Sequence, residues 1–162
     1  MNDARFAMDH VHIEANKPFE EVAKAFEQQL GRFDWDVYKF LAEGGDTEKA
    51  RARIEEMEGP SGFMLFRRSD HGALLRIVGL KRKVVQYLIG HPLFALQVTL
   101  HDIRASLYSP LRVLLYEDEQ ARTCLEYDTP SSIFGQFGHA EITAVAVTLD
   151  QKLEALMAAA IE

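Results

Sequence analysis

His10 and His12 stand one residue apart. If the chain there is extended, both imidazoles leave the same side of it, at a spacing able to chelate a transition metal. A third ligand has to come from His71, His91 or a carboxylate that the fold carries to the pair. The same pattern also suits the wet face of a strand with no metal involved. His101 and Asp102 are adjacent rather than spaced. Neighbours on a helix point apart, so they form no ready-made histidine–carboxylate dyad. His101 reads either as a hydrogen-bonded histidine buried beside Phe94 and Val98, or as a general base or ligand group in a cavity. Asp102 and Arg104 read as surface or interface groups.

Arg112 lies in an alternating segment, opposite to Leu111, Val113 and Leu115 and alongside Leu114 and Tyr116. Tyr127 falls in the segment expected to pair with it. An arginine beside two tyrosines on one sheet offers a planar fork to a carboxylate or phosphate. Its alternative is a structural bridge to Glu117 or Glu126. His91, between Gly90 and Pro92, sits at a tight passage into a helix whose start attracts anions, and it also reads as a plain turn residue. His91, His101, Arg112, Tyr116 and Tyr127 are therefore the candidate ligand-binding residues, with His10 and His12 the candidate metal pair. No phosphate loop, dinucleotide fingerprint, nucleophile elbow or zinc-protease motif is present.

These side chains must be positioned by elements that periodicity makes visible. Residues 6–15 alternate, with Val11, Ile13 and Ala15 against His10, His12 and Glu14, and read as a strand. Asn16 and Pro18 suit a helix start, Phe19, Val22, Phe26 and Leu30 form its stripe, and Gly31 suits its stop. Residues 34–60 read as a helical insertion: a short aromatic helix with Trp35, Tyr38 and Leu41, a break at Gly44-Gly45, and a charged helix ended by Gly59-Pro60. Segments 63–67 and 73–78 read as a hairpin around Ser69-Asp70-His71-Gly72, followed by a strand over 83–89. Residues 93–107 read as one helix with two apolar stripes, which calls for cover on two sides by the sheet and by a second layer or subunit. A second hairpin joins 111–116 to 122–127, and a closing helix starts near His139. The mixed order indicates an α+β domain with helices on a mostly antiparallel sheet.

Val85-Gln86-Tyr87-Leu88-Ile89-Gly90-His91-Pro92 is followed by the run from His101 to Asp118, then by Glu126-Tyr127-Asp128-Thr129-Pro130 and Phe134-Gly135-Gln136-Phe137-Gly138. With these motifs, the stretch 84–153 resembles the DUF302 family. That family usually has Asn at the position of His91 and often Pro at that of Ile103. The resemblance implies a TBP-like fold, a curved antiparallel sheet around a long helix, and no agreed activity. Residues 34–60 look like an insertion of longer members, within a single domain over 1–162.

The 162 residues include one cysteine, Cys124, so no intramolecular disulfide and no cysteine-based metal cluster can form. This suits a reducing, cytoplasmic setting. The formal charge of −7 argues against a nucleic-acid partner. The first residues lack a secretory leader pattern, and no apolar run is long enough to span a bilayer, so no membrane is expected. The function expected is a small-molecule-binding homodimer. The alternatives are a histidine-dependent enzyme, with or without a metal, and a protein-interaction module docking through 34–60.

Overall fold

Alternation of apolar and polar residues does become sheet at both ends of the fold. In the computed structural model, which describes residues 5–162, the chain opens with strand β1 (His10–Ala15) and helix α1 (Phe19–Gln28). A short strand β2 (Leu30–Arg32) leads into helices α2 (Asp36–Ala42) and α3 (Thr47–Glu56). Strand β3 (Phe63–Asp70) is followed by helix α4 (His71–Leu75), a 3-10 turn over Arg76–Val78 and strand β4 (Val84–Gly90). Helix α5 (Pro92–His101) and a 3-10 helix over Ile103–Tyr108 precede strands β5 (Leu111–Glu117) and β6 (Thr123–Asp128). Helices α6 (Pro130–Gly135) and α7 (Ala140–Ile161) close the chain.

The strands make one six-stranded sheet in the order β1-β6-β5-β4-β3-β2. Every neighbouring pair is antiparallel except β2 and β3. The fold is thus α+β, as expected. Register sorts the side chains, because residues opposite one another share a face. His10 stands opposite Asp128 and His12 opposite Glu126, while Val11 stands opposite Tyr127 and Ile13 opposite Leu125. The second set points into the core with Val85, Tyr87, Val113 and Leu115. Against them, α1 buries Phe19, Val22 and Phe26, and α7 buries a stripe from Ile142 to Ala160. A smaller core of Phe33, Val37, Ala50, Ile54 and Met64 seats α2 and α3. Among the described residues, no helix is long and apolar enough to cross a membrane.

Several local expectations are corrected. Segment 73–78 is helical, because Asp70 Oδ1 accepts from the Ala73 amide at 3.0 Å and caps α4 where a hairpin turn was expected. Strand β3 therefore runs on to Asp70 and pairs with β4. Residues 93–107 are not one helix. Asp102 leaves helical geometry (φ −150°, ψ 112°) and its carboxylate takes the Arg104 amide at 2.9 Å, starting the 3-10 segment. Pro18 rather than Asn16 holds the cap position of α1, and Gly31 lies within β2. The reason for that glycine is steric: a Cβ on Gly31 would overlap the Met57 carbonyl, and one on Gly59 would overlap the Gly31 amide. The chain leaving α3 crosses β2 at backbone contact, which needs glycine on both sides.

Candidate functional site

The outer face of the sheet gathers most of the polar candidates. Tyr116 Oη donates to Glu126 Oε1 at 2.6 Å, and His12 Nδ1 meets the same oxygen at 3.0 Å. His10 faces two carboxylates, Asp128 Oδ1 at 2.9 Å from Nδ1 and Glu126 Oε2 at 3.2 Å from Nε2. A neutral imidazole has one N–H to give, so this double pairing favours the imidazolium, and the His10 pKa is raised, chiefly by Asp128. The Tyr116 hydroxyl in turn holds the Glu126 carboxyl below its ordinary range, and Glu126 pushes that hydroxyl well above the usual phenol value. Arg112 is the outlying member, 4.0 Å from Asp128 Oδ2.

Tyr127 does not join this group. Paired with Val11 and Val113, it turns to the core, 5% exposed, and burial raises its hydroxyl pKa. The expected cluster of Arg112 with two tyrosines is therefore split between the faces of the sheet. His71 and His91 lie beside β3 and β4, four and three strands from β1, roughly 19 and 14 Å at about 4.8 Å per strand. Neither reaches the His10–His12 pair. Among the described residues, no group of three or more His, Cys, Asp or Glu side chains is arranged to hold a metal ion. His101 is exposed at the end of α5, its ring 6.4 Å from that of His139, so it is not a buried histidine.

His91 is placed differently. Following β4, it caps α5, its Nδ1 accepting the Leu93 amide at 3.1 Å. That fixes the proton of the neutral ring on Nε2, which lies 3.8 Å from Glu58 Oε2. Burial lowers the His91 pKa, and Lys152 lowers it further against the pull of Glu58 and Glu55. The side chain is 6% exposed, with Phe94 packed edge-on at 5.4 Å and Lys152 Nζ 5.6 Å from the Phe94 ring centre. Burial thus favours the uncharged imidazole, held between the Phe94 ring and the Glu58 carboxylate.

His91 lines a cavity of about 220 Å³ that is otherwise mostly apolar, walled by Trp35, Tyr38, Phe66, Phe94, Val98 and Pro110. A second cleft of about 530 Å³ runs between α3 and α5, past Leu41, Ala50, Ile54, Leu96 and Thr99. The two share Tyr38, Pro92, Ala95 and Ser109, so they adjoin. The aromatic wall is an ordered cluster, with Phe33 4.4 Å from Phe66 and Trp35 5.7 Å from both Tyr38 and Phe66. Sequence reading singled out His91 but missed Phe66, Ser109, Pro110, Glu58 and Lys152. The available signal was the aromatic density of 33–40, which exceeds what so short a helix can bury alone.

The sequence profile described as "Domain of unknown function DUF302" matches residues 38–160. The chain belongs to the DUF302 family. Among solved structures it is similar to the crystal structure of an uncharacterized conserved DUF302 protein from Bacillus stearothermophilus, at 14% identity and a TM-score of 0.66, covering 95% of this chain and 99% of that one. That likeness concerns the fold. A comparison with curated proteins finds no match. In this DUF302 chain the matched span includes β3 to β6 and both walls of the cleft from Tyr38 on, with Trp35 just outside it.

Proposed function

We propose that this DUF302 domain is a homodimeric binding module for an apolar small molecule. The ligand lies in the cleft between the 34–60 segment and α5, and the His91 Nε2–H is its polar anchor. The observation that carries the reading is the pair of adjoining cavities: one of about 220 Å³, walled by aromatic and aliphatic side chains around His91, and one of about 530 Å³ whose apolar floor of Leu41, Ala50, Ile54 and Leu96 is edged by Glu48, Arg51 and Thr99. Sites for small molecules have this make-up, apolar walls with few placed polar groups. A flat or elongated ligand with a carbonyl or similar acceptor fits it best. Arg112 and Tyr116, on the outer face, engage carboxylates of the protein itself and have a smaller part in this reading.

The dimer rests on Leu96, Leu100, Ile103 and Leu107, which are 44%, 74%, 78% and 79% exposed. The one cation among them, Arg104, is tied to Asp102 by a contact of 2.6 Å. A neutral apolar ridge of this kind suits a copy of itself. The TBP-like frame and the cytoplasmic setting belong to the same proposal. They are supported by the 22-residue α7 buried against the sheet and by a lone, buried Cys124. A histidine-dependent enzyme is the second reading, favoured only by Glu58 standing near His91 Nε2.

Native mass spectrometry of untagged protein, followed by a denaturing run, tests both parts. A dimer carrying extra mass that is lost on denaturation supports the reading. A bare monomer of 18.4 kDa overturns the dimer, and the absence of any added mass after incubation with a library of apolar carbonyl compounds overturns the ligand site.

A further inference from the structure

The segment between β3 and β4 spends its apolar residues on solvent. Leu74, Ile77, Val78 and Leu80 are 59%, 82%, 70% and 49% exposed. Ile77 and Val78, the barest of them, stand out into solvent, while Leu74 and Leu80 edge shallow hollows at the base. Local capping explains the shape of this protrusion. Asp70 caps α4, and Gly79, in left-handed geometry (φ 76°), returns its amide to the Arg76 carbonyl at 3.0 Å. Nothing in that geometry requires aliphatic residues at the tip.

The charges around the tip have one sign. From His71 to Lys83 the chain carries Arg76, Lys81, Arg82 and Lys83 and no carboxylate, within a protein of net charge −7. Lys83 is neutralised by Glu20 and Glu117, both at 2.8 Å, and Arg82 donates to the Asp118 carbonyl at 3.2 Å. These contacts engage the return into β4. Arg76 and Lys81 line a shallow hollow together with Gly79, Leu80 and Arg82.

We propose that this protrusion inserts into the surface of an anionic lipid bilayer. Ile77, Val78 and Leu80 enter the headgroup–acyl boundary while Arg76 and Lys81 meet lipid phosphates and carboxylates. Aliphatic residues ringed by cations match the layering of a bilayer surface, apolar below and negative above. A fluid bilayer needs no concave partner for a convex tip. Nucleic acid meets cations and aromatic platforms rather than bare aliphatic side chains. The ridge that runs from α5 into the 3-10 helix has its one cation, Arg104, neutralised by Asp102, which separates the two apolar surfaces by partner. The overall negative charge is screened beyond roughly 10 Å at about 0.1 M salt, so the local charge governs contact. The inference is independent of the ligand cleft.

The test is co-sedimentation of untagged full-length protein with vesicles of phosphatidylcholine alone or with about 30% phosphatidylserine. Binding is expected only to the anionic vesicles. The Arg76→Gln/Lys81→Gln pair should weaken it by about fivefold per cation. The Ile77→Ser/Val78→Ser pair should weaken it by at least about tenfold. Ile77→Leu should bind as the parent does, which guards against misfolding as the cause of a loss. Absence of binding to the anionic vesicles overturns the proposal, as does equal binding to neutral ones or binding unchanged in both pairs. Tip variants that bind vesicles normally but fail to dimerise would reassign the protrusion to a second copy of the chain. Binding of a DNA duplex tighter than of vesicles would reassign it to nucleic acid.

Discussion

Glu126 Oε1 takes its shortest hydrogen bond, 2.6 Å, from Tyr116 Oη across the β5–β6 ladder, and the same carboxylate serves both histidines of β1. One side chain thus ties three strands together on the solvent side of the sheet. Tyr116→Phe should cost about 1 kcal/mol, the usual net worth of such a bond, measurable by urea denaturation. The pH dependence has a definite sign. Glu126 is lowered, so its stabilisation is present above its unfolded pKa near 4.5 and is lost as pH falls through the folded value. His10 is raised, so its stabilisation is complete below its unfolded pKa near 6.5 and is lost as pH rises through the folded value. The β1–β6 seam is then firmest between those values. Proton NMR titration of His10 should show a raised midpoint that drops in Glu126→Gln. An unmoved midpoint would refute the coupling.

His91 has the opposite sign. Its folded pKa is lowered by burial, so its contribution is complete above about 6.5 and declines as pH falls toward the folded value. His91→Ala removes the acceptor for the Leu93 amide and should cost about 1 kcal/mol. Asn is the stronger test, since it caps helices well and is usual at this position where the chain resembles its family. His91→Asn should recover that stability within a few tenths of a kcal/mol while removing the part of the decline that sets in just below about 6.5, the later loss at Glu126 remaining. An unchanged decline just below about 6.5 in His91→Asn would place its origin elsewhere.

What sequence could show here is set by range. The alternation of His10 and His12 with Val11 and Ile13 is local, so the solvent face of β1 was legible, as was the α+β class. The alternation of Leu125 and Tyr127 against Cys124 and Glu126 is just as local, and it already puts Tyr127 on the core side. Grouping Tyr127 with Arg112 used strand pairing and neglected the pleat. Helix α4 was hidden because Asp70 serves a turn or a cap equally well, and only the pairing of β3 with β4 decides between them. The cleft was illegible for a different reason. Tyr38, Ile54, Ala95 and Ser109 come from four separate segments, and nothing in their own spacing brings them together. His91 was found because its turn is local; its neighbours Glu58 and Lys152 were not.

Gly31 and Gly59 allow the chain leaving α3 to cross β2 at backbone contact. Neither crossing partner is a flexible side chain, so an added methyl cannot be met by a rotamer change. Gly31→Ala should destabilise by about 3 kcal/mol or more, at the upper end of overpacking costs. Gly44→Ala, where a Cβ meets nothing but the backbone has φ 82°, should cost only about 1 kcal/mol. Equal midpoints for the two variants in urea would contradict the crossing.

Ala95 is the position at which the two halves of the cleft can be separated from the rest of the fold. It lines both cavities, is partly buried, and lies on the well-formed helix α5. Trp at this point projects into space already open, so packing should change little and the thermal midpoint should stay within a few degrees of the parent. The same indole occupies the junction that an elongated ligand must cross. Affinity for a bound apolar carbonyl compound, followed by calorimetry, should fall by at least about tenfold, equal to about 1.4 kcal/mol. His91→Asn at the same site should weaken binding without blocking it, since the cavity stays open but the amide N–H of the shorter side chain stands back from the point at which His91 Nε2–H is offered. If Ala95→Trp binds as tightly as the parent, the ligand lies outside this cleft. Should it bind normally while His91→Asn also has no effect, the assignment of the ligand to the cleft and to His91 fails on both counts.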